Sequence, residues 1–156
     1  MAMAITLKSY LDQQGIDYQM LPHRVTATST ATAEAAHVPG DQLAKAVIVK
    51  DGEHYLMVVL PADHRLHLGL LHRLLGHEVG LATEQEIRRL FPDCTKGAIP
   101  PVGAAYAMQT LVDNSLMPHD EVFFESGDHE HLVKVSPSQF STLIGQSQRV
   151  DVSLHM

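Results

Sequence analysis

"LAKAVIVKDGEHYLMVVLP", residues 43–61, decides the architecture. Two runs rich in valine, leucine and isoleucine flank Asp51–Gly52, a dipeptide favoured in tight antiparallel hairpins because their central residues need positive φ. One antiparallel hairpin rules out a purely parallel sheet. Upstream, residues 4–14 place Ile5, Leu7, Tyr10 and Leu11 at helical spacing, with Gly15 as a stop. "DYQML" (17–21) predicts a short strand ended by Pro22, and "STATAEAAH" (29–37) a helix with hydroxyl residues available as caps. Downstream, "HRLHLGLLHRLLG" (64–76) puts Leu68, Leu71 and Leu75 on one helical face. "VGLA" (79–82) predicts a strand, and Thr83 with Glu86 a capping box that opens the helix "EQEIRRLF" (84–91). "YAMQTLVD" (106–113), "EVFFESG" (121–127) and "HLVKVS" (131–136) predict three more strands. "SPSQFSTLIG" (136–145) closes the domain as a helix with Pro137 at its first position. Helices interleaved with two hairpins define an α/β (α+β) domain with a mixed sheet, and no linker or repeat divides residues 1–156.

Composition narrows the function. The 156 residues are 45% hydrophobic and 19% charged, ordinary values for one globular domain. No apolar run reaches bilayer length, since "YLMVVL" stops at Pro61, so no membrane partner is expected. The lone cysteine, Cys94, cannot form an internal disulfide, which points to a reducing compartment and a cytoplasmic location. A net charge of −7 argues against broad nucleic-acid binding, yet allows a small basic patch that touches one end of an RNA.

Five patterns carry candidate chemistry. Strand alternation sets Lys45 on one face with Leu43, Val47 and Val49, so its ammonium must snorkel, find an acid or face a pocket; the bland alternative is an edge lysine that blocks aggregation. "GDHEHLVKV" (127–135) puts His129 and His131 two residues apart at a turn-to-strand junction. Two ligands on one strand face without a third make a poor zinc site, so no metal is expected. His64, His67, His72 and His77 contain no pair at helical i, i+4 spacing, and their segment reads as a core-packing helix. Cys94 reads as a packed thiol, because reactivity needs a lowered pKa. The chain has no GxSxG elbow, P-loop or GxGxxG motif. In "FPDCTKGAIPPVG" (91–103), Gly97 permits close backbone approach to a ligand, while Pro100 and Pro101 stiffen the segment.

Together, "AKAVIVK" (44–50), "FPDCTKGAIPPVG" (91–103), "LVDNSL" (111–116) and "FFESGDHEHLVKVSPSQF" (123–140) resemble the YbaK-like aminoacyl-tRNA deacylase family, which includes the editing domain of bacterial prolyl-tRNA synthetases. The resemblance implies a mixed, barrel-like central sheet with surrounding helices. It also implies trans-editing hydrolysis of the ester that joins a wrong amino acid to the 3′ end of tRNA. Lys45 matches the lysine on which family activity most depends. The loop Gly97, Ala98, Ile99 and Pro100, the turn from Gly127 to His131, and Asp113 match substrate-binding positions. Thr28 lies in the segment "TATSTATAEAAH" (26–37), where relatives contact the substrate side chain. No cofactor or metal is implied. The expected partner is mischarged tRNA, with help from an aminoacyl-tRNA synthetase or elongation factor. Alanyl, prolyl, cysteinyl, seryl and threonyl esters all remain open as substrates. The competing reading is a non-catalytic module of the same fold that binds an amino acid or aminoacyl-tRNA.

Overall fold

The computed structural model describes residues 3–116 and 121–156. In chain order the first half holds α1 (Ile5–Gln13), β1 (Gln19–Pro22), α2 (Ser29–Ala35), β2 (Leu43–Asp51), β3 (His54–Pro61), β4 (His64–Leu66) and α3 (Leu68–Leu75). The second half holds β5 (Gly80–Leu81), α4 (Glu84–Leu90), β6 (Gln109–Asp113), β7 (Val122–Glu125), β8 (His131–Val135), α5 (Pro137–Ile144), β9 (Gln148–Val150) and β10 (Ser153–His155). No described helix is long and apolar enough to cross a membrane.

The hairpin of β2 and β3 is the centre of the sheet. It pairs without a bulge from Ala44↔Pro61 to Asp51↔His54, and Gly52 takes the positive φ of 63° that its turn requires. The ladder runs β1-β8-β7-β2-β3-β6-β9 and mixes directions. The β2–β7, β3–β6 and β6–β9 pairs are parallel, and the β1–β8, β7–β8 and β2–β3 pairs antiparallel.

Both faces are covered, and strand alternation assigns them. Ala44, Ile48, Met57 and Val59 pack with Leu7 and Leu11 of α1, Phe91 after α4, and Phe140 of α5. Val49, Leu56, Val58 and Leu60 point the other way and pack with Leu71 of α3. Leu43, Phe123 and Leu132 pack with Ala33 of α2. Phe91, Phe124 and Phe140 are fully buried, and each contributes about 1.5–3 kcal/mol through the apolar surface it removes from water. The capping box forms as expected: Thr83 Oγ1 accepts from Glu86 N at 3.1 Å and Glu86 Oε1 from Thr83 N at 2.9 Å. Glu86 also meets Lys50 Nζ at 2.7 Å and accepts from Tyr55 Oη at 2.6 Å, which ties α4 to the hairpin.

Three segments depart from the sequence expectation. Residues 64–66 form strand β4 rather than a first helical turn, because they pair with β10 through His64↔His155 and Leu66↔Ser153. The helix α3 starts after His67, whose Nδ1 accepts from Leu70 N at 3.0 Å. Residues 103–106 form a 3₁₀ turn, and Ala107 at φ 54° delays β6 to Gln109. Finally, α5 does not close the domain: β9 and β10 follow it, each with only three residues.

Candidate functional site

On the side of β2 away from β3, the strand pairs with β7 through Leu43 and Ala44, then with β5 through Val49 and Lys50. Between them the backbone of Lys45–Val47 has no strand partner on that side among the described residues. A pocket of about 310 Å³ opens at this split. Its walls include Thr28, Lys45, Gly97, Ile99, Glu125 and His129.

Lys45 comes from the split strand itself. Its Nζ donates to Ala62 O at a long 3.4 Å. Burial lowers its pKa from the ordinary lysine value, with Asp63 acting in the opposite direction. Thr28 caps α2, with Oγ1 accepting from Ala31 N at 3.1 Å. The loop after α4 is pinned at both ends: Phe91 and Ala98 are fully buried, and Thr95 N donates to Gly127 O at 2.7 Å. Gly97 has φ 83°, and a Cβ there would sit 3.6 Å from His129 Nε2, so the loop lies directly against that ring.

Glu125 ends β7, and His129 follows in the turn before β8. His129 Nε2 donates to Thr26 O at 2.7 Å, while its Nδ1 meets Glu125 Oε2 at 3.0 Å. The backbone N–H of His23 donates to Glu130 O at 2.8 Å, which holds the segment before α2 against this turn. Burial raises the Glu125 carboxyl above its usual range, and His23 and His129 act against that rise.

The structure thus brings Thr28, Lys45, Gly97 and Ile99 to one pocket and places the other expected positions elsewhere. Ala98 is completely buried behind the loop, and Pro100 is buried beside it. Gly127 serves packing: at φ 104° a Cβ would approach Ala4 Cβ to 2.5 Å, where α1 begins. His131 is outside the pocket lining. Its Nδ1 meets Asp128 Oδ2 at 2.8 Å, and the Asp128 carboxylate also accepts from Ser126 Oγ and the amides of Glu130 and His131. His129 and His131 do not share a strand face, because β8 starts only at His131 and His129 has φ 59°. Asp113 also lies outside the pocket lining, its carboxylate bound to Ser115, Val152 and Ser153. Glu125 and His23 escaped the sequence reading, since nothing local marks contacts across about a hundred residues.

Cys94 is half-buried, its Sγ 3.3 Å from Tyr106 Oη. Burial pushes the thiol up to about 12, so it stays protonated at neutral pH. It faces a neighbouring cavity with Phe91 and Ile99 rather than the Lys45 pocket. Cys94→Ser is therefore expected to retain at least half of wild-type deacylation in a steady-state assay; complete loss would revive a thiol nucleophile.

A small pocket with one half-buried cation, a stiff loop and a polar wall, set in the split of a mixed sheet, suits a hydrolase acting on an already activated ester. Such a site has only to orient water and stabilise developing oxyanion charge. Residues 23–143 match the model of the aminoacyl-tRNA editing domain, and the chain belongs to that family. It is an aminoacyl-tRNA deacylase, a hydrolase of mischarged tRNA. The chain is 28% identical over 127 residues to the "Multifunctional Ser/Thr-tRNA deacylase ProXp-y" of Escherichia coli, covering 78% of this chain and 75% of that protein. A solved structure described as a candidate trans-editing enzyme for prolyl tRNA synthetase superposes with TM-score 0.80 at 25% identity, covering 97% of this chain and 96% of that one. The hypothetical protein APE2540 superposes with TM-score 0.81 at 26% identity, covering 96% of this chain and 99% of that one.

Proposed function

We propose that this deacylase acts in trans and removes small hydroxyl-bearing amino acids, serine and threonine, from mischarged tRNA. The observation that carries the reading is the polar wall of Thr28, Glu125 and His129 beside Lys45 in a pocket of about 310 Å³. A synthetase that must reject one methylene gains only about 1–3 kcal/mol of discrimination, which is why a second hydrolytic pocket is needed. A pocket built to hydrogen-bond a hydroxyl disfavours analogues without one, because its own polar groups are then left unpaired. The Escherichia coli relative is named a Ser/Thr-tRNA deacylase, which supports the same substrate class.

In this reading the Lys45 ammonium faces the ester carbonyl and stabilises the oxyanion. Gly97 and Ile99 form the wall against which the aminoacyl group rests, and Thr28 contacts its side chain. Ala98, Pro100, Asp113, Gly127 and His131 hold these elements in place without touching substrate. The acidic chain, with net charge −7, grips tRNA mainly near its 3′ end. A synthetase or elongation factor would then supply the rest of the RNA affinity. The test is a panel of tRNAs charged with alanine, proline, cysteine, serine or threonine. Seryl and threonyl esters are expected to be hydrolysed at least about tenfold faster than the alanyl ester, which lacks only the hydroxyl of serine. Preference for alanyl or prolyl ester would overturn the substrate assignment.

A further inference from the structure

His23, Glu125 and His129 form a cluster that ester hydrolysis leaves partly unused. The His23 imidazole is fully buried. Its Nδ1 lies 2.7 Å from Arg24 O, and the Nε2 of His129 lies 2.7 Å from Thr26 O. A carbonyl oxygen only accepts, so each ring spends its N–H there. Both rings then turn their second nitrogen onto a single carboxyl, at 3.2 Å from Oε1 for His23 and 3.0 Å from Oε2 for His129. In neutral rings those nitrogens carry lone pairs, and so do the carboxylate oxygens. Neither contact is attractive until positive charge lies between the atoms. Two protons would supply it, and so would one divalent cation.

We propose that His23, Glu125 and His129 bind a divalent transition cation of the zinc class in the wall of the pocket. Two imidazoles and a carboxylate are the donor set such ions prefer, and zinc takes imidazole in its neutral form. The three donor atoms lie within 4.8 Å of one another. The two nitrogen–oxygen separations approach the edge of about 3.3 Å that bonds of about 2.0–2.1 Å give in a tetrahedron. Each imidazole already donates its other N–H to a backbone carbonyl, the arrangement that fixes tautomer and ring orientation in metal-binding histidines. Because Glu125 and His129 line the pocket, a remaining coordination position is reachable from it. The site is assembled from the end of β1, the end of β7 and the turn before β8, so it exists only in the folded chain.

The test is calorimetric titration of the chelator-treated full-length protein with zinc chloride, without tRNA. One zinc ion per chain is expected to bind, and His23→Ala and Glu125→Gln are each expected to weaken binding by about tenfold or more. The His77→Ala control should bind as wild type does, since that half-exposed ring pairs with Asp51 away from the cluster. X-ray absorption of the wild-type complex decides the matter even if a variant fails to fold: two imidazoles and a carboxylate oxygen at about 2.0–2.1 Å are expected. Absence of stoichiometric binding by wild type, undiminished binding in both variants, or a spectrum without two imidazoles would overturn the site. These measurements read metal binding alone; deacylation in the pocket that Glu125 and His129 line is assayed separately.

Discussion

Lys45→Ala is expected to slow aminoacyl-ester hydrolysis by about 10²–10³-fold, the loss that follows removal of one oxyanion-stabilising donor. Stability should remain within about 0.5 kcal/mol of wild type, because the variant removes one long contact to Ala62 O at 3.4 Å and leaves both core faces intact. The variant also relieves a half-buried cation of its desolvation cost. The pH dependence has a definite sign. Burial lowers the Lys45 pKa below the ordinary lysine value, so the cation, and with it the catalysis proposed for it, is present at lower pH and is lost as pH rises through that lowered value. Hydrolysis above the spontaneous rate should therefore decline at a lower pH than a fully solvated lysine would allow. Wild-type turnover by the alanine variant would remove Lys45 from the mechanism.

Asp113→Ala is expected to have the opposite profile, with a large stability loss and a modest kinetic effect. The carboxylate accepts from Val152 N at 2.8 Å, Ser153 Oγ at 2.8 Å, Ser115 N at 3.0 Å and Ser115 Oγ, which ties β6 to the C-terminal strands. Hydrogen bonds to a charged group are worth about 1.5–3 kcal/mol each and do not add fully. A loss of about 3 kcal/mol is expected, lowering the unfolding temperature by roughly 6–12 °C for a domain of this size. Burial raises the Asp113 pKa, but bonds from Ser115, Val152 and Ser153 outweigh it, and the net shift is downward. Its stabilising contribution is thus present above the unfolded carboxyl value and is lost as pH falls through the folded one. Calorimetric unfolding across the acid range checks both statements. A variant with unchanged stability and abolished hydrolysis would return Asp113 to the substrate site.

These two residues show how far the sequence reaches. Asp51–Gly52, the Thr83–Glu86 capping box and Pro137 are local signals set by backbone conformation and caps, and the structure realises each one, with the hairpin turn one residue further on at Gly52 and Glu53. Lys45 was legible for the same reason, since period-two alternation alone assigns its strand face. Strands β4, β9 and β10 were not legible, because three-residue strands owe their existence to partners far away in the chain. The convergence of Glu125 and His23 on His129 was hidden by the same non-locality. Glu125 reads as one more strand residue, and His23 as a residue beside a proline, until β1, β7 and the turn before β8 converge. Alternation set His131 and His129 on one strand face, and the family resemblance selected His131 for the substrate site. The positive φ of His129 breaks the alternation, sending one ring to the pocket and the other to Asp128.

The split beside Lys45 is proposed to hold the aminoacyl ester. The most direct test of this proposal is a titration of isotope-labelled protein with a non-hydrolysable, amide-linked seryl-adenosine, followed by the backbone amide signals. Saturable shifts are expected, confined to Ala27–Ser29, Lys45–Ala46, Gly97–Ile99 and Glu125–His129, with the amides around Asp113 and Ser153 unmoved. Shifts centred on Asp113 and the C-terminal strands, with the Lys45 pocket silent, would contradict it.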